Sequence, residues 1–237
     1  LILVRIINVV IGAIAVYIAA VIINDDILLK DIYNIIGIVA LSMALGNVIN
    51  DYEDIETDKI SHPNRPYARD TIKVPQIKFL LLILSISVII LSLTLTVKTT
   101  LFLYVCILPA LFFYTRYLKT IPVLGNIIIA FLLSSIFIFT ELYITNDFRI
   151  LLIPSTLIFG LSLLRELLKD IQDYSGDHIS KIKTLPVVIG KQNAIYYAIV
   201  YIMIFGVLLA VSYFYYYINI NYLYSIIILI EIPLFII

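Results

Sequence analysis

Five carboxylates fall within eight residues, Asp51, Glu53, Asp54, Glu56 and Asp58, directly after an apolar run that ends near Val48 and Ile49. Asn50, Asp54 and Asp58 are spaced i, i+4, i+8 and share one face of a helix, with Asp51 on an adjoining stripe. Like charges crowded on one face repel, so something positive is expected between them. A second cluster runs from Arg165 through Lys169 to Asp177 and on to Lys183 and Thr184. Its Glu166, Asp170, Asp173 and Asp177 follow i, i+4, i+7, i+11, again a single helical stripe. Asp, Glu and Asn donors without Cys or paired His favour Mg²⁺ or Mn²⁺ over zinc. Mg²⁺ binds through one or two carboxylates, waters and substrate phosphates, so two such clusters facing each other would hold a diphosphate through bridging ions. Arg65, Lys119 and Lys183 are candidates to neutralise the remaining phosphate charge. The sequence holds no Gly-rich phosphate loop and no Ser-His-Asp or Cys-His nucleophile pattern.

These residues must be positioned by membrane-length helices. Hydrophobic residues make up 62% of the chain and charged residues 14%, with a mean hydropathy of +1.09, which is the composition of a polytopic membrane protein. Eight apolar segments are expected, near Val4–Ile23, Tyr33–Asn50, Ile77–Val97, Thr100–Tyr117, Val123–Ile144, Ile150–Leu168, Ala194–Tyr217 and Tyr222–Ile237. Two connections are long, 51–76 and 169–193; they hold the acidic clusters and face the same compartment. Of the 16 Lys and Arg residues only Lys30, Lys98 and Arg149 fall on the opposite side, so the clusters are expected to be cytoplasmic. The zero net charge and the lack of any Lys/Arg-rich segment argue against a nucleic-acid partner. The lone Cys106 lies in an apolar run and reads as a buried thiol. The chain reads as one transmembrane domain over residues 1–237, trimmed at both ends, since it begins without Met and stops inside an apolar run.

Asn50, Asp51, Asp54 and Asp58, followed by His62, Pro63, Arg65 and Pro66, resemble the first Asp-rich motif of the UbiA superfamily of intramembrane prenyltransferases. Glu166, Asp173 and Asp177 with Lys183 and Thr184 resemble the second. Arg5 and Asn8 resemble the Arg/Asn pair of the family's first helix, and Tyr114, Thr115, Lys119, Gly125 and Asn126 the motif between its fourth and fifth helices. The resemblance implies a nine-helix all-α bundle with a central cavity, two Asp-rich caps, Mg²⁺ as cofactor, and transfer of a prenyl group from its diphosphate. It places catalytic and metal-linked roles on Asn50, Asp51, Asp54, Asp58, Asp173 and Asp177. It places substrate contacts on Arg5, Asn8, Arg65, Tyr114, Lys119, Asn126, Glu166, Asp170 and Lys183. Within the superfamily, the stretch from Arg165 to Pro186 is most similar to archaeal digeranylgeranylglyceryl phosphate synthases. That similarity implies geranylgeranyl diphosphate as donor and geranylgeranylglyceryl phosphate as lipid-like acceptor, in ether-lipid synthesis. The first motif is shared with chlorophyll synthases and quinone prenyltransferases, so an aromatic, quinone-precursor or chlorophyllide acceptor is the alternative. Tyr67, Ala68, Arg69 and Asp70 depart from the small-residue turn usual in the family.

Glu141 and Glu231 sit within or near apolar segments, where a charge is costly, and each is functional, placed near the outer interface, or protonated. His62 and His178 read as loop residues rather than metal ligands. The rival class is a divalent-cation transporter or channel, which would carry ionisable residues at mid-membrane depth along a pathway. Here the acids concentrate at one end of the helices.

Overall fold

A computed structural model describes residues 4–23, 29–55, 72–179 and 182–216. Asp58, His62, Arg65, the segment 67–70, Glu231 and the expected span Tyr222–Ile237 lie outside the described residues. The described chain is all-helical. Its elements are α1 (Ile6–Ile23), α2 (Leu29–Glu53), α3 (Val74–Ser92), α4 (Val97–Leu118), α5 (Leu124–Thr145), α6 (Leu152–Ile179), α7 (Leu185–Ile189) and α8 (Lys191–Tyr216). Six of them, all but α6 and α7, are long and apolar enough to cross a membrane.

The sixth apolar segment was expected to stop near Leu168 and open into a long connection. Instead α6 continues for another eleven residues to Ile179, and α7 and α8 follow closely, so that connection is largely helical. Arg165, Glu166, Lys169, Asp170, Asp173 and Asp177 therefore ride on one unbroken helix, whose first half, 152–164, carries no charged residue. Gly190 separates α7 from α8 at φ 90, a conformation that glycine reaches without a Cβ penalty.

The chain divides into two compact units. The first comprises residues 1–119 and 131–156. In it Ala44, Leu45 and Val48 of α2 pack on Ile77 and Leu84 of α3. Gly12 lets α1 approach the Met43 side chain of α2, and Gly46 admits Leu111 of α4. α4 is not regular. Pro109 has no N–H to give the Val105 carbonyl, and a π-helical stretch, Phe102–Ile107, directly precedes it. A second π-helical turn, Tyr114–Leu118, ends the helix, with the Lys119 N–H donating to the Tyr114 carbonyl at 3.0 Å.

Glu141, 1% exposed on α5, has a structural role in this unit. Its carboxylate accepts the backbone N–H groups of Arg149 and Ile150 on Oε1 at 2.6 and 2.7 Å, and that of Leu151 on Oε2 at 2.7 Å. The turn leading into α6 is thus closed on one buried carboxylate, and the positive end of the α6 dipole favours that charge. Glu141 thus closes the turn between α5 and α6, a structural role that the sequence did not indicate.

The second unit comprises residues 120–130 and 157–237. In it Phe205 and Leu209 of α8 pack against Leu157 and Leu161 of α6. The Tyr201 hydroxyl donates to the Gly160 carbonyl at 3.0 Å, and the Phe205 ring lies where a Cβ at 160 would sit.

Candidate functional site: two carboxylate-bearing helix ends

Asn50, Asp51 and Glu53 occupy the last turn of α2, and the Asp54 N–H still donates to the Asn50 carbonyl at 2.9 Å. Acidic side chains are disfavoured at this end, because the helix dipole leaves partial negative charge there and the acids repel one another. Three cations from other parts of the same unit relieve the conflict. Arg5 Nη2 donates to Asp51 Oδ1 at 2.9 Å, Arg116 pairs with Glu53, and Lys119 pairs with Asp54.

Each cation is delivered by a local device. Arg5 precedes α1 at φ 50, left-handed backbone that a non-glycine residue rarely adopts, and the Asn47 side chain donates to the neighbouring Val4 carbonyl at 3.0 Å. Arg116 lies within the π-helical turn of α4 and Lys119 just after it. Side-chain exposure rises from 5% at Asp51 to 19% at Asp54 and 25% at Glu53, so the acids grade from enclosed to partly exposed. Burial pushes the Lys119 ammonium down from its ordinary value, and nearby Glu53 pulls it partly back.

Asp51 and Arg5, expected at metal and at substrate, are engaged with each other. Asn8 is exposed on the first turn of α1, and Tyr114 is half-buried where the π-helical turn begins. Glu53 and Arg116 were not singled out in the sequence. Glu53 was read only as one of five acids, and Arg116, three residues before Lys119, was the available signal.

In the second unit the stripe of α6 is graded in the same way. Glu166 is 8% exposed, with Arg165 Nη1 on Oε1 at 2.6 Å and Lys169 Nζ 3.7 Å from Oε2. One turn on, Asn126 of α5 donates through Nδ2 to Asp170 Oδ2 at 2.8 Å. Burial raises the Asp170 carboxyl above the usual range, the Asn126 amide draws it down, and Asp177 pushes it up again. Asp177 is also raised, chiefly by burial. The Thr184 hydroxyl, buried nearby without forming a hydrogen bond in full geometry, draws Asp177 partly back, and Asp173 pushes the other way. Asp173 and Lys183 are exposed. Tyr174 stacks on His178 with ring centroids 5.8 Å apart, and Lys191 Nζ lies 6.0 Å from the Tyr174 centroid. His178 is thus a helical ring-stacking residue rather than a loop residue.

The donors at both helix ends are oxygens. Among the described residues no three His, Cys, Asp or Glu side chains converge on a point. A closed protein cage is therefore not what these residues build. An all-oxygen, open donor set fits a divalent cation that takes one or two carboxylates and completes its shell with water and phosphate.

A protein of Methanosphaera stadtmanae named digeranylgeranylglyceryl phosphate synthase is 32% identical over 190 residues, covering 80% of this chain and 69% of that one. Proteins of the same name from Sulfurisphaera tokodaii and Pyrococcus abyssi are each 32% identical, over 90% and 75% of this chain. The chain spans 77% of the S. tokodaii protein and 62% of the P. abyssi one, less than two thirds of the latter. A solved chain from work on digeranylgeranylglyceryl phosphate synthase in membranes is 28% identical with a TM-score of 0.74, covering 98% of this chain and 87% of that one. A UbiA homologue from Archaeoglobus fulgidus bound to DMAPP and Mg²⁺ is 19% identical and shares the fold, with a TM-score of 0.80 over 100% of this chain and 86% of that one. The model of the UbiA prenyltransferase family matches residues 9–237. Six membrane-length helices, acidic ends on α2 and α6 and a match of that extent lead to one conclusion: the chain is an integral membrane protein and belongs to the UbiA prenyltransferase family.

Proposed function

We propose that this chain transfers a geranylgeranyl group from its diphosphate to the free hydroxyl of geranylgeranylglyceryl phosphate, with Mg²⁺, in membrane ether-lipid synthesis. The observation that carries this reading is the shared name of relatives about one third identical, joined to two helix ends that carry carboxylates. Asn50 and Asp54, with Asp58 of the same motif, would hold a cation at the end of α2, and Asp173 and Asp177 would hold one at the end of α6. When bound, Mg²⁺ supplies charge neutralisation of the diphosphate and withdraws electrons from the allylic C–O bond.

The side chains do the rest. Lys119, whose proton burial already loosens, donates to phosphate oxygens as charge develops on the leaving group. Asn126 fixes the orientation of Asp170, so the α6 stripe presents a set geometry. The acceptor oxygen forms its bond to C1 of the prenyl chain as the allylic C–O bond breaks, and diphosphate leaves with the electron pair. The hydroxyl proton passes to a carboxylate of the clusters or to the departing diphosphate. We further propose that these helix ends face the cytoplasm, in accord with the bias of Lys and Arg to their side.

The test is product identification by mass spectrometry, with purified protein and a panel of prenyl diphosphates and acceptors. Digeranylgeranylglyceryl phosphate is the expected product, made with Mg²⁺ and not after exhaustive chelation. Efficient prenylation of a hydroxybenzoate, with none of the glyceryl phosphate, would replace the lipid-synthase reading with the aromatic-acceptor one. Cation flux in sealed vesicles without prenyl transfer would sink both.

A further inference from the structure

We infer that the Glu53–Arg116 ion pair is a positioning device that keeps Lys119 seated on Asp54 before the prenyl diphosphate arrives. Lys119 follows a π-helical turn, and such a turn is irregular backbone that does not by itself hold a long side chain in place. Lysine also loses much rotamer freedom when it is fixed. Arg116 lies inside that turn, and its guanidinium pairs with Glu53, the residue adjoining Asp54 at the end of α2. The middle of the turn is thereby tied to α2 at Glu53, and the residue after the turn reaches Asp54. The side chains of Glu53 and Arg116 are 25% and 51% exposed, whereas those of Asp54 and Lys119 are 19% and 24% exposed. The outer pair is therefore a clamp at the rim, and the inner pair is what it holds. Neither Glu53 nor Arg116 needs to touch the substrate for this.

The inference rests on the donor reading above for its kinetic arm only. Without metal or substrate, the acylation rate of the Lys119 amine by an amine-reactive ester is read by peptide mass spectrometry on the solubilised protein. Glu53→Gln and Arg116→Gln should each speed Lys119 acylation by roughly two- to fivefold, the equilibrium equivalent of a partly exposed ion pair. In steady-state kinetics the same variants should raise the donor KM more than they lower kcat. The charge swap Glu53→Arg with Arg116→Glu should return both readouts toward wild type, which a merely structural loss would not do. Glu53→Asp, which keeps the charge but shortens its reach, should fall between wild type and Glu53→Gln and covers the case in which a swapped variant does not fold. Wild-type acylation rates in both single variants, or a folded swap no better than either, would overturn the clamp. Absence of turnover by wild type would overturn the donor reading, and the acylation result would stand apart from it.

Discussion

Arg5 holds a carboxylate that is 4% exposed, so its role is testable as stability before it is testable as catalysis. Arg5→Ala should cost about 1.5–3 kcal/mol, the scale of a hydrogen bond to a charged group, and Arg5→Lys less. Thermal unfolding in detergent measures this; an unchanged midpoint with selective loss of acceptor use would make Arg5 a substrate ligand instead. Glu141→Ala removes the acceptor of three backbone amides and should cost about 3 kcal/mol at ~1 kcal/mol per hydrogen bond. Its mark is a lower melting temperature with an unchanged Mg²⁺ requirement. Asp170 carries a different signature. Its carboxyl is raised by burial, so the folded state holds the proton more tightly than the unfolded state. That contribution favours the fold at acid pH and is lost as pH rises through the folded value. Asp170→Asn should therefore melt no lower than wild type at neutral pH in chelator, yet lose part of the upward shift that Mg²⁺ gives wild type.

At the scale of elements, α6 matters most because it runs unbroken from the turn closed by Glu141 to the last acid of the second stripe. A break after Leu168 would have made the acids loop residues; continuity makes them a stripe with helical pitch. The helix is anchored to α8 at Gly160, where any Cβ would collide with the Phe205 ring. Gly160→Ala should cost about 1–3 kcal/mol as an overpacking change, read as a lower unfolding midpoint. Full stability of that variant would mean that the ring swings aside freely. In α4 the π-helical turn brings Arg116 and Lys119 to two acids of α2, one residue apart, which a regular helix would present differently.

For the whole molecule, kinetics tests whether the acids of α2 and α6 act together in one reaction, as the family resemblance implies. Asp54→Ala and Asp173→Ala should each remove most activity, and the double variant should lose far less than the product of the two losses. Multiplicative losses would mean two independent sites. Topology is tested with Cys106 replaced by Ser and Lys183, which is exposed, replaced by Cys. A membrane-impermeant maleimide should label that cysteine in inverted vesicles and not in intact cells; labelling in intact cells would reverse the orientation.

Sequence alone determined the class and the chemistry of the donors. Hydropathy over some twenty residues is a property of composition, so the spans from α1 to α5 were legible to within a few residues, and helical spacing placed Asp170, Asp173 and Asp177 on one stripe. Repulsion among Asp51, Asp54 and Asp58 likewise called for something positive before any partner was seen. Which cations answered was a matter of tertiary structure. Arg5 and Arg116 are 46 and 63 residues from the acids they pair with, and no local pattern encodes such a distance. The same holds for Glu141, whose spacing from its amides means nothing until α5 turns back into α6. The end of the sixth span was legible two ways: the apolar run stops near Leu168 while the acids keep helical spacing to Asp177, because polar residues end an apolar run without ending the backbone hydrogen bonds of a helix.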